Sequence, residues 1–188
     1  ASDIKKIVDI VTQRKTVDKF SRLVPLDELR ANEYNLNIPR YVDSSENPET
    51  WDIYSSMFGG IPEKELSELN QFWTAFPKLK DSLFVKVSAQ YYELKMKEVK
   101  NAIKDHAEIK KFTNDFNSSF STFGDYLKKQ LLTKIDSVNI PRKEAELSEE
   151  IFNRLSSIPL IDKYKAYQIL DDAWGKVAVD LEILQTEG

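Results

Sequence analysis

Cysteine is absent from this sequence of 188 residues, histidine occurs once, and glycine occurs five times. The absence of cysteine excludes disulfides and thiolate chemistry and fits a cytoplasmic protein. Because the glycines form no Gly-rich phosphate loop, the sequence argues against a nucleotide cradle. No run of about 18 apolar residues is present, so no transmembrane helix is expected. The first six residues also lack the apolar core of a signal peptide.

Charge is distributed unevenly along the chain. The net charge is −4, with 41% hydrophobic and 31% charged residues, a balance typical of a globular protein. Acidic blocks at residues 41–84 and 144–188 enclose a mildly basic middle. Since a strong nucleic-acid binder is usually more basic throughout, the pattern favours ordinary solvated faces.

Residues suited to catalysis or metal binding are scarce. A Ser-His-Asp triad and most zinc sites would have to use His106, which lies among lysines and is interpreted as a helix-side histidine. The carboxylates of Asp171, Asp172 and Asp180 are scattered around a predicted helix, which favours a solvated acidic face over a metal site. We therefore assign no catalytic, cofactor-binding or metal-binding residue.

The first 45 residues predict a small α/β segment. Residues 3–15 read as a helix because apolar residues recur at spacings of three and four. A short strand is expected at 20–24, and Pro25 suits the first turn of a second helix. Residues 36–42 alternate in character, and Pro39 within them indicates an edge strand or an irregular extended segment.

From residue 46 onward the sequence predicts a helical domain with long amphipathic helices, which makes the fold class mainly α. Helix starts are expected at Asn47-Pro48 and at Ile61-Pro62, the second opening a helix that ends near Pro77. Later helices are expected from Ser148, as N-cap, through Leu155, and from about Asp162 to Leu184.

Residues 88–136 carry the strongest helical period, beginning with Tyr92 and Met96. One unbroken helix there would be about 70 Å long. We expect either a break near His106 or within residues 117–124, or a helix that projects as an antiparallel arm.

An aromatic and leucine stripe runs through this stretch. At helical spacing such a stripe forms a core or a helix–helix interface far more often than a base-stacking platform. We expect part of it to be a partner interface because its helical period continues over more residues than the mean helix of about 11–12 residues contains. Without a partner, such a stripe would form an exposed apolar patch. The candidate interface residues are Phe112, Phe116, Phe120, Phe123, Leu127 and Leu131.

Three asparagines and an arginine stand close together in residues 32–42. Asparagine side chains hold turns by bonding nearby backbone, and they also reach bases or phosphates, as arginine does. Composition alone does not decide between these two roles for Asn35, Asn37 and Arg40. For Arg40 two interpretations stay open: a phosphate contact, or an ion pair with a carboxylate such as Asp43.

Two motifs resemble a known family. Phe20-Ser21-Arg22-Leu23-Val24, Glu28 and the run from Asn32 to Val42 (NEYNLNIPRYV) resemble the stretch that closes the methyltransferase core in modification (M) subunits of type I restriction–modification systems. Pro159 to Tyr164 (PLIDKY), with Tyr167-Gln168, Trp174 and Asp180, resembles a signature of the helical C-terminal region in one branch of that family.

The resemblance implies a subunit of an adenine-specific N6 DNA methyltransferase. Family members use S-adenosylmethionine and work with a specificity (S) subunit, which reads the DNA, and with a restriction (R) subunit. Their catalytic motif, Asn-Pro-Pro followed by an aromatic residue, binds the flipped adenine. It is missing here: the nearest string, Asn47-Pro48-Glu49-Thr50, lacks the second proline and the ring.

This departure gives the expected role. We expect residues 1–45 to be the end of a catalytic domain and residues 46–188 to be a helical C-terminal domain that docks other subunits. The place of the asparagine-rich run in that catalytic domain implies a position near the DNA, which makes Asn35, Asn37 and Arg40 the candidate DNA-proximal residues. The chain itself is expected to bind no S-adenosylmethionine and to be inactive alone, and it has the potential to self-associate through the stripe. The alternative is a helical protein–protein interaction module with no link to methylation.

Overall fold

The structure, a computed structural model, describes residues 2–45, 52–133 and 135–187. The chain divides into two compact units, Ala1–Thr50 and Trp51–Gly188, called unit 1 and unit 2 below. Helices predominate, which confirms the predicted mainly α class. The helix start predicted at Asn47-Pro48 lies outside the described residues. The assignment of residues 1–45 to a catalytic domain stays a prediction.

Within residues 2–45, unit 1 contains two helices, a single β-bridge and a short 3-10 helix. The helices are α1 (Ser2–Thr12) and α2 (Leu26–Ala31), and the 3-10 helix is Ile38–Arg40. Helix α1 agrees with the apolar period predicted for residues 3–15. Only its Ile10 is buried, and the other apolar residues of the helix are more than half exposed.

Both extended segments predicted in unit 1 are wrong. Residues 20–24 form no strand, since Ser21 makes only an isolated bridge to Val17. The Ser21 hydroxyl instead donates to the carbonyl of Lys15 at 2.8 Å. Residues 36–42 turn into the 3-10 helix because the side-chain oxygen of Asn35 accepts a hydrogen bond from the Asn37 backbone N–H at 2.9 Å. Such side-chain bonds compete with a strand ladder for the backbone.

The first half of unit 2 folds around a small antiparallel sheet. The elements are α3 (Ile53–Phe58), β1 (Ile61–Pro62), α4 (Glu63–Glu68), α5 (Asn70–Ala75), α6 (Leu79–Leu83), β2 (Phe84–Lys86), β3 (Tyr91–Leu94) and α7 (Val99–Asp105). The strands have the order β1-β3-β2 in the sheet, with Ile61 opposite Tyr92 and Phe84 opposite Leu94.

This sheet holds the strand content of the described chain, and it corrects the helix predicted from residue 88. Tyr92 lies in β3, and Met96 follows that strand, where it packs on an apolar cluster. The cluster is formed by buried Phe76, Leu79 and Leu83. The four-residue spacing of Tyr92 and Met96 therefore came from a strand and the loop after it.

The helical stretch that follows is broken at both predicted places. Helix α8 (Ala107–Phe120) is preceded by its N-cap, His106. The backbone of His106 is extended, and its Nδ1 accepts a hydrogen bond from the Glu108 N–H at 3.3 Å. Helix α9 (Phe123–Leu131) follows after Ser121 and Thr122. The predicted break is thus confirmed, and His106 serves as a helix N-cap.

Two long helices complete unit 2. Helix α10 (Ile140–Leu155) is capped by Asn139, whose side chain accepts from the Arg142 N–H at 3.1 Å. The N-cap predicted at Ser148 is therefore wrong; that residue is fully buried within the helix, and its hydroxyl donates to the Ala145 carbonyl. Helix α11 (Lys163–Glu187) confirms the last predicted helix.

The second core cluster joins these helices. It is built from buried Ile140, Leu147, Trp174 and Leu181, and it is flanked by partly buried residues of α9, among them Leu127 and Leu131. Since the cluster takes side chains from α9, α10 and α11, it holds the three helices together and fixes the surface between them.

Candidate functional site

An apolar groove opens between the helices in the second half of unit 2. One wall comes from α8 and α9, where Phe116, Phe120, Phe123 and Leu127 follow each other at spacings of four, three and four. Their rings are in contact: the centroids of Phe116 and Phe120 are 5.2 Å apart, and those of Phe120 and Phe123 are 5.6 Å apart. The helix break at residues 121–122 does not interrupt this row.

The floor and the opposite wall of the groove come from α10 and α11. Buried Ile151 and Leu155 form the floor. The volume of the groove is about 640 Å³, and only Asp162 and Lys165 among its lining residues are charged. On the α11 side it is lined by Asp162, Lys165, Ala166, Ile169, Leu170 and Ala173.

The α11 wall repeats the spacing of the facing wall. Ala166, Ile169 and Ala173 of α11 are spaced by three and four residues. This is the spacing of a and d positions in a heptad repeat, which pack against another helix. Ile169 is 73% exposed. The groove therefore presents helix-packing positions on both sides with open space between them.

The loop before α11 closes one end of the groove. Leu160 lines the groove and has a φ of 64°, in the left-handed region that a leucine rarely adopts. Asp162 fixes the loop, because its carboxylate accepts a hydrogen bond from the Tyr164 N–H at 2.9 Å. The ring of Tyr164 packs edge-on against Phe152 at 5.6 Å. The PLIDKY signature thus builds the end of the groove.

Arg154 holds the helix break beside the groove. Its guanidinium donates to the Ser119 carbonyl at 2.6 Å and to the Thr122 hydroxyl at 3.2 Å, and its Nε donates to the Glu150 carboxylate at 2.7 Å. The group also lies 5.3 Å from the ring centroid of Phe123. One side chain of α10 therefore ties the end of α8 to the start of α9.

The six predicted interface residues are all partly buried, but they separate into three groups. Phe112 packs edge-on against Phe76 at 5.6 Å in the first cluster. Leu131 packs on the second cluster. The remaining four line the groove. Sequence reasoning missed the residues of α10 and α11, although the spacing from 166 to 173 carried the same signal.

Unit 1 has a polar pocket of about 390 Å³ at its surface. It is lined by Ala31, Asn32, Glu33, Asn35 and Arg40. The guanidinium Nη1 of Arg40 donates to the side-chain oxygen of Asn32 at 3.1 Å. Of the predicted DNA-proximal residues, the structure brings Asn35 and Arg40 together in this pocket. Asn37 is not among the lining residues.

The ion pair considered between Arg40 and Asp43 does not form in the described structure. The carboxylate of Asp43 accepts hydrogen bonds from the hydroxyl and the backbone N–H of Ser45, at 2.5 and 2.9 Å. These bonds, the hydroxyl bond first, hold the pKa of Asp43 below its usual range. Asp43 is thus engaged elsewhere, while Arg40 is held by a neutral amide.

Residues 1–50 contain no glycine, so they hold no Gly-rich loop of the kind that the resemblance implies for S-adenosylmethionine binding. Gly59 and Gly60 form the turn before β1 in unit 2. Within the described ranges, no group of three or more His, Cys, Asp or Glu side chains is placed to hold a metal ion. The assignment of catalytic, cofactor and metal residues as none stays a prediction.

None of the helices in the described ranges is long and apolar enough to cross a membrane.

Comparison with known proteins supports the resemblance at the N-terminus. The family described as N-6 DNA Methylase matches residues 1–50. Two curated relatives from Methanocaldococcus jannaschii are similar to this chain: the type I restriction enzyme MjaVII methylase subunit, 38% identical over 71 residues, and the MjaVIII methylase subunit, 33% identical over 82 residues. The predicted resemblance to type I methylase subunits is thereby confirmed.

Each match covers only part of this chain and a small part of the relative. They cover 37% and 43% of this chain and only 12% and 13% of the two relatives. No solved structure matches the chain.

Proposed function

We propose that this chain is a structural and subunit-docking part of an adenine-specific N6 DNA methyltransferase subunit in a type I restriction–modification system. The family match at residues 1–50 and the two methylase-subunit relatives support this assignment. The reaction and its S-adenosylmethionine belong, in this proposal, to other residues of the methyltransferase. The assembly acts on DNA in the cytoplasm, together with a specificity and a restriction subunit.

The observation that carries the docking role is the apolar groove of unit 2. Both of its walls show the spacing that receives another helix. A groove lined almost entirely by apolar side chains gains stability when a partner removes it from water. Its proposed occupant is an amphipathic helix of the specificity subunit. This occupant fits the relatives, which are named as subunits.

An exposed residue of the groove tests this role without disturbing the core. Ile169→Asp changes a side chain that is 73% exposed, so the chain should keep its helicity and melting temperature. A carboxylate at position 169 would have to be buried against the partner helix, which costs free energy even though Lys165 lies one helical turn away. The association constant with the specificity subunit of the same system, measured by calorimetry, should fall at least about tenfold, corresponding to about 1.4 kcal/mol.

Val179→Asp is the matched control. Val179 lies on the same helix, is 53% exposed and does not line the groove. The control should bind like the unchanged chain. Equal affinity for both variants would refute the groove as the docking site. A dimer of this chain alone that becomes monomeric in Ile169→Asp would identify a second copy as the occupant instead.

A further inference from the structure

The polar pocket of unit 1 presents a cationic group whose charge is not neutralised. Arg22 forms a two-point ion pair with Glu28, with distances of 2.9 and 2.8 Å. Arg30 pairs with Asp27 at 2.9 Å. Arg40, by contrast, has no ion pair among the described residues and bonds the uncharged amide of Asn32. Its guanidinium is therefore not engaged by a carboxylate at ion-pair distance and can bind an anion.

Asn32 fixes the direction of that guanidinium. Its amide nitrogen donates to the Glu28 carbonyl at 3.0 Å, while its oxygen accepts from Arg40. The amide is thus held at the end of α2 and orients one nitrogen of the fork. Since a guanidinium has five N–H donors, most of them stay available. A guanidinium that is already held in one orientation loses less side-chain entropy when it binds an oxyanion.

The loop around the pocket is held in one conformation as well. Tyr41 donates from its hydroxyl to the Asn35 carbonyl at 2.5 Å. Glu33 and Tyr34 both have positive φ angles, 56° and 57°. Backbone strain of this kind persists only where the surroundings impose it, and it occurs often at binding sites. The side chain of Asn35 therefore lines the pocket from a constrained turn.

We propose that Arg40, positioned by Asn32, binds a backbone phosphodiester of DNA in this pocket. Arginine and asparagine are common donors to phosphate oxygens. The carboxylate of Glu33 also lines the pocket. Arg40 and Glu33 give the lining a net charge of about zero, so a free phosphate, with a charge near −2, gains no net electrostatic advantage over a phosphodiester, with a charge of −1. The choice of DNA rests on the proposed function, since the pocket lies within the residues that match a DNA methylase.

Nuclear magnetic resonance of the whole chain tests the site directly. A short duplex DNA is titrated into the labelled protein, and inorganic phosphate is titrated separately at the same ionic strength. The Arg40 Nε–H signal and the side-chain amide signals of Asn32 and Asn35 should shift saturably with DNA. Inorganic phosphate should require at least about tenfold higher concentration for the same shift.

Paired substitutions separate the site from the general charge of unit 1. Arg40→Gln should abolish the shifts of the asparagine amides and lower the salt slope of DNA binding by about one. Arg30→Gln removes the same charge from the same unit and should leave the shifts in place. Asn32→Asp should weaken binding more than Asn32→Ala, because the new carboxylate would pair with Arg40. Glu33→Gln should strengthen binding.

The outcomes decide the proposal. Equal loss in Arg40→Gln and Arg30→Gln, or equal affinity for phosphate and DNA, would overturn it. If Arg40→Gln unfolds unit 1, Arg40→Lys is the second variant. It keeps the positive charge but lacks the planar set of guanidinium donors, and it should still weaken binding severalfold. DNA binding that ignores Arg40 would refute only this site. Loss of the proposed function would instead appear as no DNA binding together with no association with the specificity subunit.

Discussion

The two units of this chain are stabilised by different kinds of interaction. Of the twelve buried hydrophobic residues in the described ranges, only Ile10 lies in unit 1, and the other eleven lie in unit 2, where seven of them form the two core clusters. Unit 1 is instead held by polar bonds between side chains and nearby backbone, such as those of Ser21, Asn35 and Tyr41. Polar bonds of this kind each contribute only about 0.5–1.5 kcal/mol in net terms.

The comparison also explains the exposed apolar face of α1. Ile4, Ile7, Val8 and Val11 share one face, as the sequence predicts, yet each is more than half exposed. An amphipathic helix is stable mainly when its apolar face is packed. The apolar face of α1 thus stays exposed in the described structure, whereas unit 2 contains its own cores. This difference predicts where substitutions affect stability.

The largest expected effect is loss of the second core of unit 2. Leu147→Ala removes a side chain that is 1% exposed and packs with Trp174 and Leu181. The free energy of unfolding, measured by denaturant titration, should fall by about 2–5 kcal/mol. Ile10→Ala in unit 1 makes a comparable deletion and should leave that main transition unchanged. If Ile10→Ala shifts the same transition equally, the two units unfold as one and the comparison fails.

A smaller effect is expected at the glycine turn before β1. Gly59 has φ 82° and ψ −176°, a conformation available essentially to glycine alone. Gly59→Ala should therefore lower the unfolding free energy of unit 2 by about 1–3 kcal/mol, although a Cβ there would meet no atom within 4 Å.

Gly175→Ala supplies the opposite control. Gly175 lies inside α11, and a Cβ built on it also meets nothing within 4 Å. Alanine should stabilise that helix by about 0.5–1 kcal/mol, because glycine is the poorer helix former. A thermal melt of both variants measures the two signs. A stabilising Gly59→Ala would show that the turn conformation is not strained for other residues.

Periodicity predicted the long helices because their apolar faces are packed over several turns. This holds for α8, α9 and α11, including the break at His106, whereas only the second half of α10 was predicted. The same signal misled at Tyr92 and Met96, since two apolar residues four apart also arise where a strand ends in a loop. Ser148 misled for a different reason: a serine bonded to a preceding carbonyl is accommodated inside a helix.

The candidate sites were predictable only in part. The row from Phe116 to Leu127 follows from one helical period, but its opposite wall lies more than thirty residues later in the chain and needs the tertiary fold. In unit 1 the sequence indicated Asn35 and Arg40. It could not indicate that Asn32 would be the partner of Arg40, since three asparagines and several carboxylates were equally near in sequence.

The smallest expected effect tests whether local polar hydrogen bonds stabilise unit 1. Asn35→Ala removes the oxygen that accepts the Asn37 N–H at 2.9 Å. If local bonds of this kind hold unit 1, the turn should lose about 1 kcal/mol. The Asn37 amide should then exchange with solvent about fivefold faster, which hydrogen exchange measures.

Asn37→Ala is the control, because its side chain makes no hydrogen bond within the described part of the chain and its backbone bond is kept. Unchanged protection in Asn35→Ala would mean that packing, and not this bond, holds the turn. Amides of the Leu147 core should keep their protection in both variants, since that core depends on unit 2 alone.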